Sequence, residues 1–184
     1  MQEIVLASNS QTRAEILREF DIPFVQRGVD FDEDSLEISS AKSFVYEATK
    51  GKLNRYLELF GLDKPVLCAD TVVAVGDKIL RKAKDEKDAK EILLSQSNQR
   101  VSILTCMAYK SHNLEFLDLS STWYIFDKFD DDDLEAYLKS GEWRGKAGAC
   151  MVEGFCKKYI KKVVGLESTA KGLSIEKLIP FLDV

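Results

Sequence analysis

Histidine is almost missing from this chain: His112 is the only one in 184 residues. It stands in Lys110-Ser111-His112-Asn113, which reads as a hairpin turn, where polar residues are solvated. Ser-His-Asp hydrolysis, Cys-His hydrolysis and histidine-rich metal sites therefore lack their histidine. Any catalysis has to run on carboxylates, lysines, arginines and hydroxyls. Cysteine is sparse too. Cys68, Cys106, Cys150 and Cys156 form no CxxC pair, and the first two lie in apolar runs as small core residues. That argues against a disulfide framework or a zinc site. No apolar run approaches about 18 residues, so no membrane span is expected. The opening Met1-Gln2-Glu3-Ile4-Val5-Leu6 has no basic region ahead of a long apolar stretch. A signal peptide is therefore not expected, and a cytoplasmic location is. A basic surplus is missing as well, since 26 Lys and Arg against 31 Asp and Glu leave a net charge of −5. This is not the footprint of a nucleic-acid or anionic-membrane binder. A small phosphate-rich ligand needs only a local cluster of cations and stays open.

What is present suits one domain, 1–184, with a sizeable core: 45% of the residues are hydrophobic. Ile4-Val5-Leu6-Ala7 reads as a short buried strand running into the polar turn Ser8-Asn9-Ser10. A helix follows, capped by Ser10, with Ile16, Leu17 and Phe20 on one face. A short strand is expected near Val25 to Val29, and a long helix from Ala41 to Phe60, ended by Gly61. Asp85 caps a helix carrying Ala89, Ile92 and Leu93. Val101 to Tyr109 and Glu115 to Phe126 read as a strand pair. Asp130 to Asp133 lead a short helix, 134–138, and suit capping and solubility better than metal binding. Strands are expected near Cys150-Met151-Val152 and from Tyr159 to Val164, with a last helix capped by Ser174 and broken by Pro180. Early alternation of strands and helices followed by a hairpin predicts an α/β fold, a mixed sheet flanked by helices.

The most informative residue is Asp70. It interrupts Pro65-Val66-Leu67-Cys68-Ala69-Asp70-Thr71-Val72-Val73-Ala74-Val75-Gly76, an apolar, β-branched run that reads as a fully buried strand. A desolvated carboxylate costs several kcal/mol unless a cation, a metal or a hydrogen-bond network compensates. A turn at Gly76-Asp77-Lys78 would bring Lys82 back near Asp70. A purely structural Asp–Lys pair is the plain alternative to a working site.

Three other places invite chemistry. In Ser8-Asn9-Ser10-Gln11-Thr12-Arg13, a cation stands where a capping box would put Glu. Arg13 opposes the helix macrodipole, costing about 0.3–1 kcal/mol, and with free N–H groups and hydroxyls it suits a bound anion. By itself it equally suits a solvated arginine. Lys52 falls on the apolar stripe of the long helix with Val45, Ala48 and Tyr56, where it either snorkels or points its ammonium into a polar cleft. The acidic pair Asp32-Glu33 and Asp70 come from separate segments, and such carboxylates can share Mg²⁺ or Mn²⁺. Finally, the glycines of Gly145 to Gly154 suggest a backbone that a ligand approaches closely, without forming a P-loop.

These same residues resemble the Maf family of nucleoside triphosphate pyrophosphatases, historically named for septum-formation inhibition. A LASxSPRRxELL-like opening is matched by Leu6 to Leu17, the acidic pair by Asp32-Glu33, and the helix lysine by Lys52. ADTVV is matched by Ala69 to Val73, iLgKP by Ile79 to Ala83, and GEwxgKAGaYxIqG by Gly141 to Gly154. A final GLP resembles Gly172-Leu173-Ser174. The resemblance implies two lobes with a central cleft and an architecture like that of the inosine triphosphate pyrophosphatases, often as a homodimer. It implies metal-dependent cleavage of a nucleoside triphosphate to the monophosphate and pyrophosphate, with pyrimidines such as dTTP or UTP as preferred substrates. It assigns Asp70, Glu33 and Lys82 to catalysis, with Asp70 and Glu33 also holding Mg²⁺ or Mn²⁺. Ser8, Arg13, Lys52, Thr71 and Glu153 then bind the substrate.

The chain also departs from the pattern. The PR pair ahead of Arg13 is Gln11-Thr12 here, the glutamine of IqG is Glu153, and LSGxxH reads Gln96-Ser97-Asn98-Gln99-Arg100-Val101. Arg81 or Arg100 is a candidate for restoring the lost positive charge. Glu153 is expected to repel a triphosphate unless a cation offsets it. These departures give weight to a second reading, a regulatory nucleotide-binding protein of cell division with weakened catalysis. An aspartyl-phosphate phosphatase is disfavoured, because Cys68-Ala69-Asp70-Thr71 lacks the paired DxD carboxylates.

Overall fold

The computed structural model describes residues 2–150 and 152–182, with the backbone alone for Asp34. Its frame is one sheet of strands β1 (Ile4–Leu6), β2 (Phe24–Gln26), β3 (Val66–Val75), β4 (Lys78–Leu80), β5 (Arg100–Lys110), β6 (Glu115–Phe126) and β7 (Ile160–Val164). They lie in the order β2-β1-β3-β5-β6-β7, with β4 attached to β3. β1 runs parallel to β2 and β3, and all other pairs are antiparallel, so the sheet is mixed as the sequence predicts. The helices are α1 (Gln11–Glu19), α2 (Ala41–Phe60), α3 (Glu86–Leu94), α4 (Asp131–Ser140), α5 (Glu167–Lys171) and α6 (Ile175–Leu178).

Side-chain alternation along β3 divides the core. Val66, Cys68, Val72 and Ala74 pack toward Val45, Ala48, Leu53 and Tyr56 of α2. Leu67 and Ala69 face the other way, onto α1 and α6. Val73 joins that second face farther along, in a separate cluster with α3 and α4. Asp70 and Thr71 stand at the join, Asp70 on the α2 side and Thr71 opposite.

The lengths of the neighbours explain why a polar pair can stand there. β1 reaches only Val66 and Leu67 of β3, while β4 covers Val73 to Val75. Between them the β3 edge has no strand partner among the described residues. A cleft opens over that interval.

Several local expectations change. Phe20 is the residue closing α1 and is 40% exposed, so it is no core anchor. Of the strand expected at Cys150-Met151-Val152, Cys150 has no regular structure, Val152 lies in a turn, and Met151 is outside the described residues. A 3₁₀ turn, Phe155–Tyr159, precedes β7. Ser174 makes no side-chain cap; its hydroxyl bonds Thr169 instead at 2.8 Å. The long helix meets its expected bounds, closed by Gly61 at φ 72°.

Candidate active site

The cleft has a volume of about 1100 Å³ and draws on the α1 turn, the acidic segment, α2, β3 and the Gly145–Cys150 loop. At its centre the Lys52 ammonium donates to Asp70 Oδ1 at 2.8 Å and also pairs with Glu33. Asp70 is 7% exposed, and its Oδ2 is buried without a partner among the described residues. Lys52 is thus no snorkelling surface cation: from the apolar stripe of α2 it points inward to two carboxylates. The hairpin does not supply Asp70's partner. β4 stops at Leu80, and Lys82 pairs through its backbone with Ala147. Its exposed side chain lines the same cleft and makes no ion pair among the described residues.

Arg13 is half-buried rather than solvated. It donates to Ser8 Oγ at 2.9 Å, Thr71 Oγ1 at 3.2 Å and the Gly172 carbonyl at 2.8 Å. Thr105 spends its one hydroxyl proton on the Thr169 carbonyl at 2.7 Å, so Thr71, which accepts from Arg13, donates its own to Thr105 Oγ1 at 2.9 Å. Burial pulls the Arg13 pKa below its ordinary value, and Asp70 and Glu33 pull it back up. Ser10 caps α1 as expected, accepting from the Arg13 N–H at 3.3 Å. Three of the five guanidinium N–H groups are engaged among the described residues.

Glu33 opens a 3₁₀ turn, Glu33–Ser35, held by Asp32, whose carboxylate accepts from the Ser35 N–H at 3.3 Å. The segment is seated on α2 by an aromatic contact. Phe31 packs where Gly51 has no Cβ, at a mid-helix position where alanine would favour the helix by about 1 kcal/mol.

The structure brings Ser8, Arg13, Glu33, Lys52, Asp70, Thr71 and Lys82 to one cleft. Glu153 does not line it. It sits at the rim, its side chain 62% exposed, paired at 3.3 Å with Lys171, which does line the cleft and also pairs with Glu167 at 2.9 Å. Lys171 is thus the cation beside Glu153, shared with Glu167. Arg81 and Arg100 instead stack on Phe44 and Trp123.

Sequence reasoning missed Gln96. It is fully buried, donates to the Gly148 carbonyl at 2.6 Å, and so ties the Gly145–Cys150 loop to the end of α3. Its place just beyond a capped helix carried no signal of that long-range bond.

Two carboxylates on one ammonium, a buried carboxylate oxygen without a partner among the described residues and a half-buried guanidinium thus share one cleft. The sequence profile described as Maf-like protein matches residues 3–184. A nucleoside triphosphate pyrophosphatase of a Nitratiruptor species is 56% identical over 177 residues, 95% of this chain and 96% of that one. Another, from Helicobacter pylori, is 41% identical over 182 residues, 99% of this chain and 96% of that one. Among solved structures, the Staphylococcus aureus Ham1 protein is similar at TM-score 0.46 and 18% identity, over 68% of this chain and 72% of that one. That last likeness is too loose to bear on the site.

Proposed function

The chain belongs to the Maf-like protein family, and on that footing we propose that it hydrolyses nucleoside triphosphates to the nucleoside monophosphate and pyrophosphate. The observation that carries this reading is the buried Asp70 carboxylate, one oxygen on Lys52 and the other without a partner among the described residues, beside a half-buried arginine in one cleft.

The cations come from separate segments. Arg13 has two N–H groups to spare, Lys52 has a third donor beyond the two spent on Asp70 and Glu33, and Lys82 stands at the wall with no ion pair among the described residues. Together they bind and orient the triphosphate, with Ser8 and Thr71 holding Arg13 in line. The Asp70 carboxylate accepts the proton of the attacking water. The apolar end of the cleft, with Val73, Ile103 and Phe126, receives the base, and a pyrimidine such as that of dTTP or UTP is the preferred occupant. Glu153 stands at the rim, outside the cleft lining and partly offset by the Lys171 it shares with Glu167, so the acidic departure there leaves the cleft its attraction for phosphate.

The residues fit a divalent cation. Asp70 and Glu33 converge from separate segments, and no third acidic, cysteine or histidine ligand joins them among the described residues. A donor set of two carboxylates suits Mg²⁺ or Mn²⁺, whose remaining positions go to phosphate oxygens and water. When bound there, the cation would neutralise phosphate charge and make a water easier to deprotonate. Pyrophosphate release from a panel of canonical and modified triphosphates, each with Mg²⁺ and Mn²⁺, tests the reading. Release from none of them would refute it and favour the regulatory alternative.

A further inference from the structure

Glu33 reaches Lys52 from a segment with little regular structure, and something must hold it there. Two glycine contacts do so. A Cβ at Gly51 would lie 2.2 Å from Phe31 Cζ, 2.4 Å from Cε2 and 2.9 Å from Cε1, so the ring tip occupies the space that glycine leaves on α2. At the start of the segment, a Cβ at Gly28 would lie 2.1 Å from Asn9 Oδ1, so Gly28 lies against the turn that precedes α1. Just before it, the Arg27 N–H donates to the Leu6 carbonyl at 3.0 Å. Phe31 lies two residues before Glu33, and Gly51 is next to Lys52. The ring contact and the ion pair are therefore adjacent on both partners.

We infer that Gly51 and Phe31 form a notch and key whose task is to position the Glu33 carboxylate over Lys52 and beside Asp70. The inference rests on the hydrolytic reading of the cleft. Neither residue touches the reacting atoms, so both are positioning residues. The sequence supports the pairing in physical terms: glycine is a poor choice for the middle of a 20-residue helix, and a phenylalanine facing a polar cleft is a poor choice for an acidic loop. Each makes sense through the other. With any other residue at 51 the ring tip has to leave the notch, and the Glu33 segment loses the contact that seats it on α2.

Gly51→Ala tests this, because alanine favours the helix while filling the notch. The expected result is a Tm unchanged within about 4 °C, a kcat lowered at least about tenfold, and a severalfold rise in the Mg²⁺ concentration giving half-maximal rate. Reductive methylation of Lys52, read by mass spectrometry on the free protein, should speed up severalfold as Glu33 withdraws. In Phe31→Leu/Gly51→Ala the shorter side chain clears the new methyl, and kcat, Mg²⁺ requirement and Lys52 protection should all return toward wild type. Wild-type kcat and Lys52 protection in Gly51→Ala would overturn the inference. So would a loss of kcat that the double variant does not recover, or one that only parallels a fall in Tm. The labelling does not depend on turnover, so a wild-type protein that hydrolyses nothing would refute the hydrolytic reading while the notch is still judged on Lys52 protection.

Discussion

The Lys52 ammonium lies 2.8 Å from one oxygen of Asp70, while the other oxygen of that carboxylate is buried with no partner among the described residues. A buried carboxylate paired on one side only is expensive to keep, since each unmet charged acceptor costs more than the ~1–3 kcal/mol of a neutral one. In the proposed function this carboxylate is the general base.

Asp70→Asn should therefore remove activity without unfolding the protein. An asparagine there still accepts from Lys52 through its amide oxygen, and an uncharged group is cheaper to bury. Turnover should fall by at least about 10²–10⁴-fold, the range of a lost general base, while the thermal melt holds or rises. Near-normal turnover would show that the proton goes elsewhere.

Arg13→Lys keeps the charge and loses the fork that spans Ser8, Thr71 and the Gly172 carbonyl. Hydrogen bonds to charged groups are worth about 1.5–3 kcal/mol, so kcat/KM for the triphosphate should drop roughly ten- to a hundredfold. Steady-state kinetics that match wild type would mean the guanidinium only ties the turn together.

Glu153→Gln should do little. The pair with Lys171 is exposed, and Glu167 keeps Lys171 engaged. Exposed pairs contribute about 0.2–1 kcal/mol, which limits the change in kcat/KM to about fivefold. A larger loss would make Glu153 a ligand in its own right.

The buried thiols give a pH signature. Desolvation pushes Cys68 up to about 12 and Cys106 up to about 11, from 9.0 in each case. Above pH 9 the unfolded chain releases these protons first, so the folded state binds more of them and its stability falls as pH rises. Each thiol contributes a loss of roughly 1.4 kcal/mol per pH unit between its two pKa values. The neighbouring Cys156 and burial raise Cys150 as well, so three thiols share the slope. Urea unfolding at pH 8, 9 and 10 checks this, and Cys68→Ala should remove about a third of the slope above pH 9. A flat profile would contradict the burial of these thiols.

Much of this architecture can be read from local chemistry. Gly61 and the spacing of Val45, Ala48 and Tyr56 bound α2 correctly, because a capped amphipathic helix carries its own signals. The strand around Asp70 is equally plain, whereas the meeting of Ser8, Arg13, Lys52 and Lys82 in one cleft is legible only through the family resemblance. Partnership is harder. Hairpin geometry points Lys82 at Asp70, but β4 is only three residues long and ends before it. Lys52 takes the place through a contact between a helix and a strand that no local pattern encodes. The role of Gly51 is invisible for the same reason: a glycine in a helix is legible only when the ring it admits, Phe31, is in view. Similarly, the glycines around Cys150 suggest a strand beyond them, whereas the loop is held as a turn by Gln96 from another element.

The central claim concerns which phosphate bond breaks, and ³¹P NMR of a reaction with UTP and Mg²⁺ reads it directly. The account predicts that uridine monophosphate and pyrophosphate grow together in equal amounts, with no diphosphate at any time. Uridine diphosphate and orthophosphate appearing instead would contradict it.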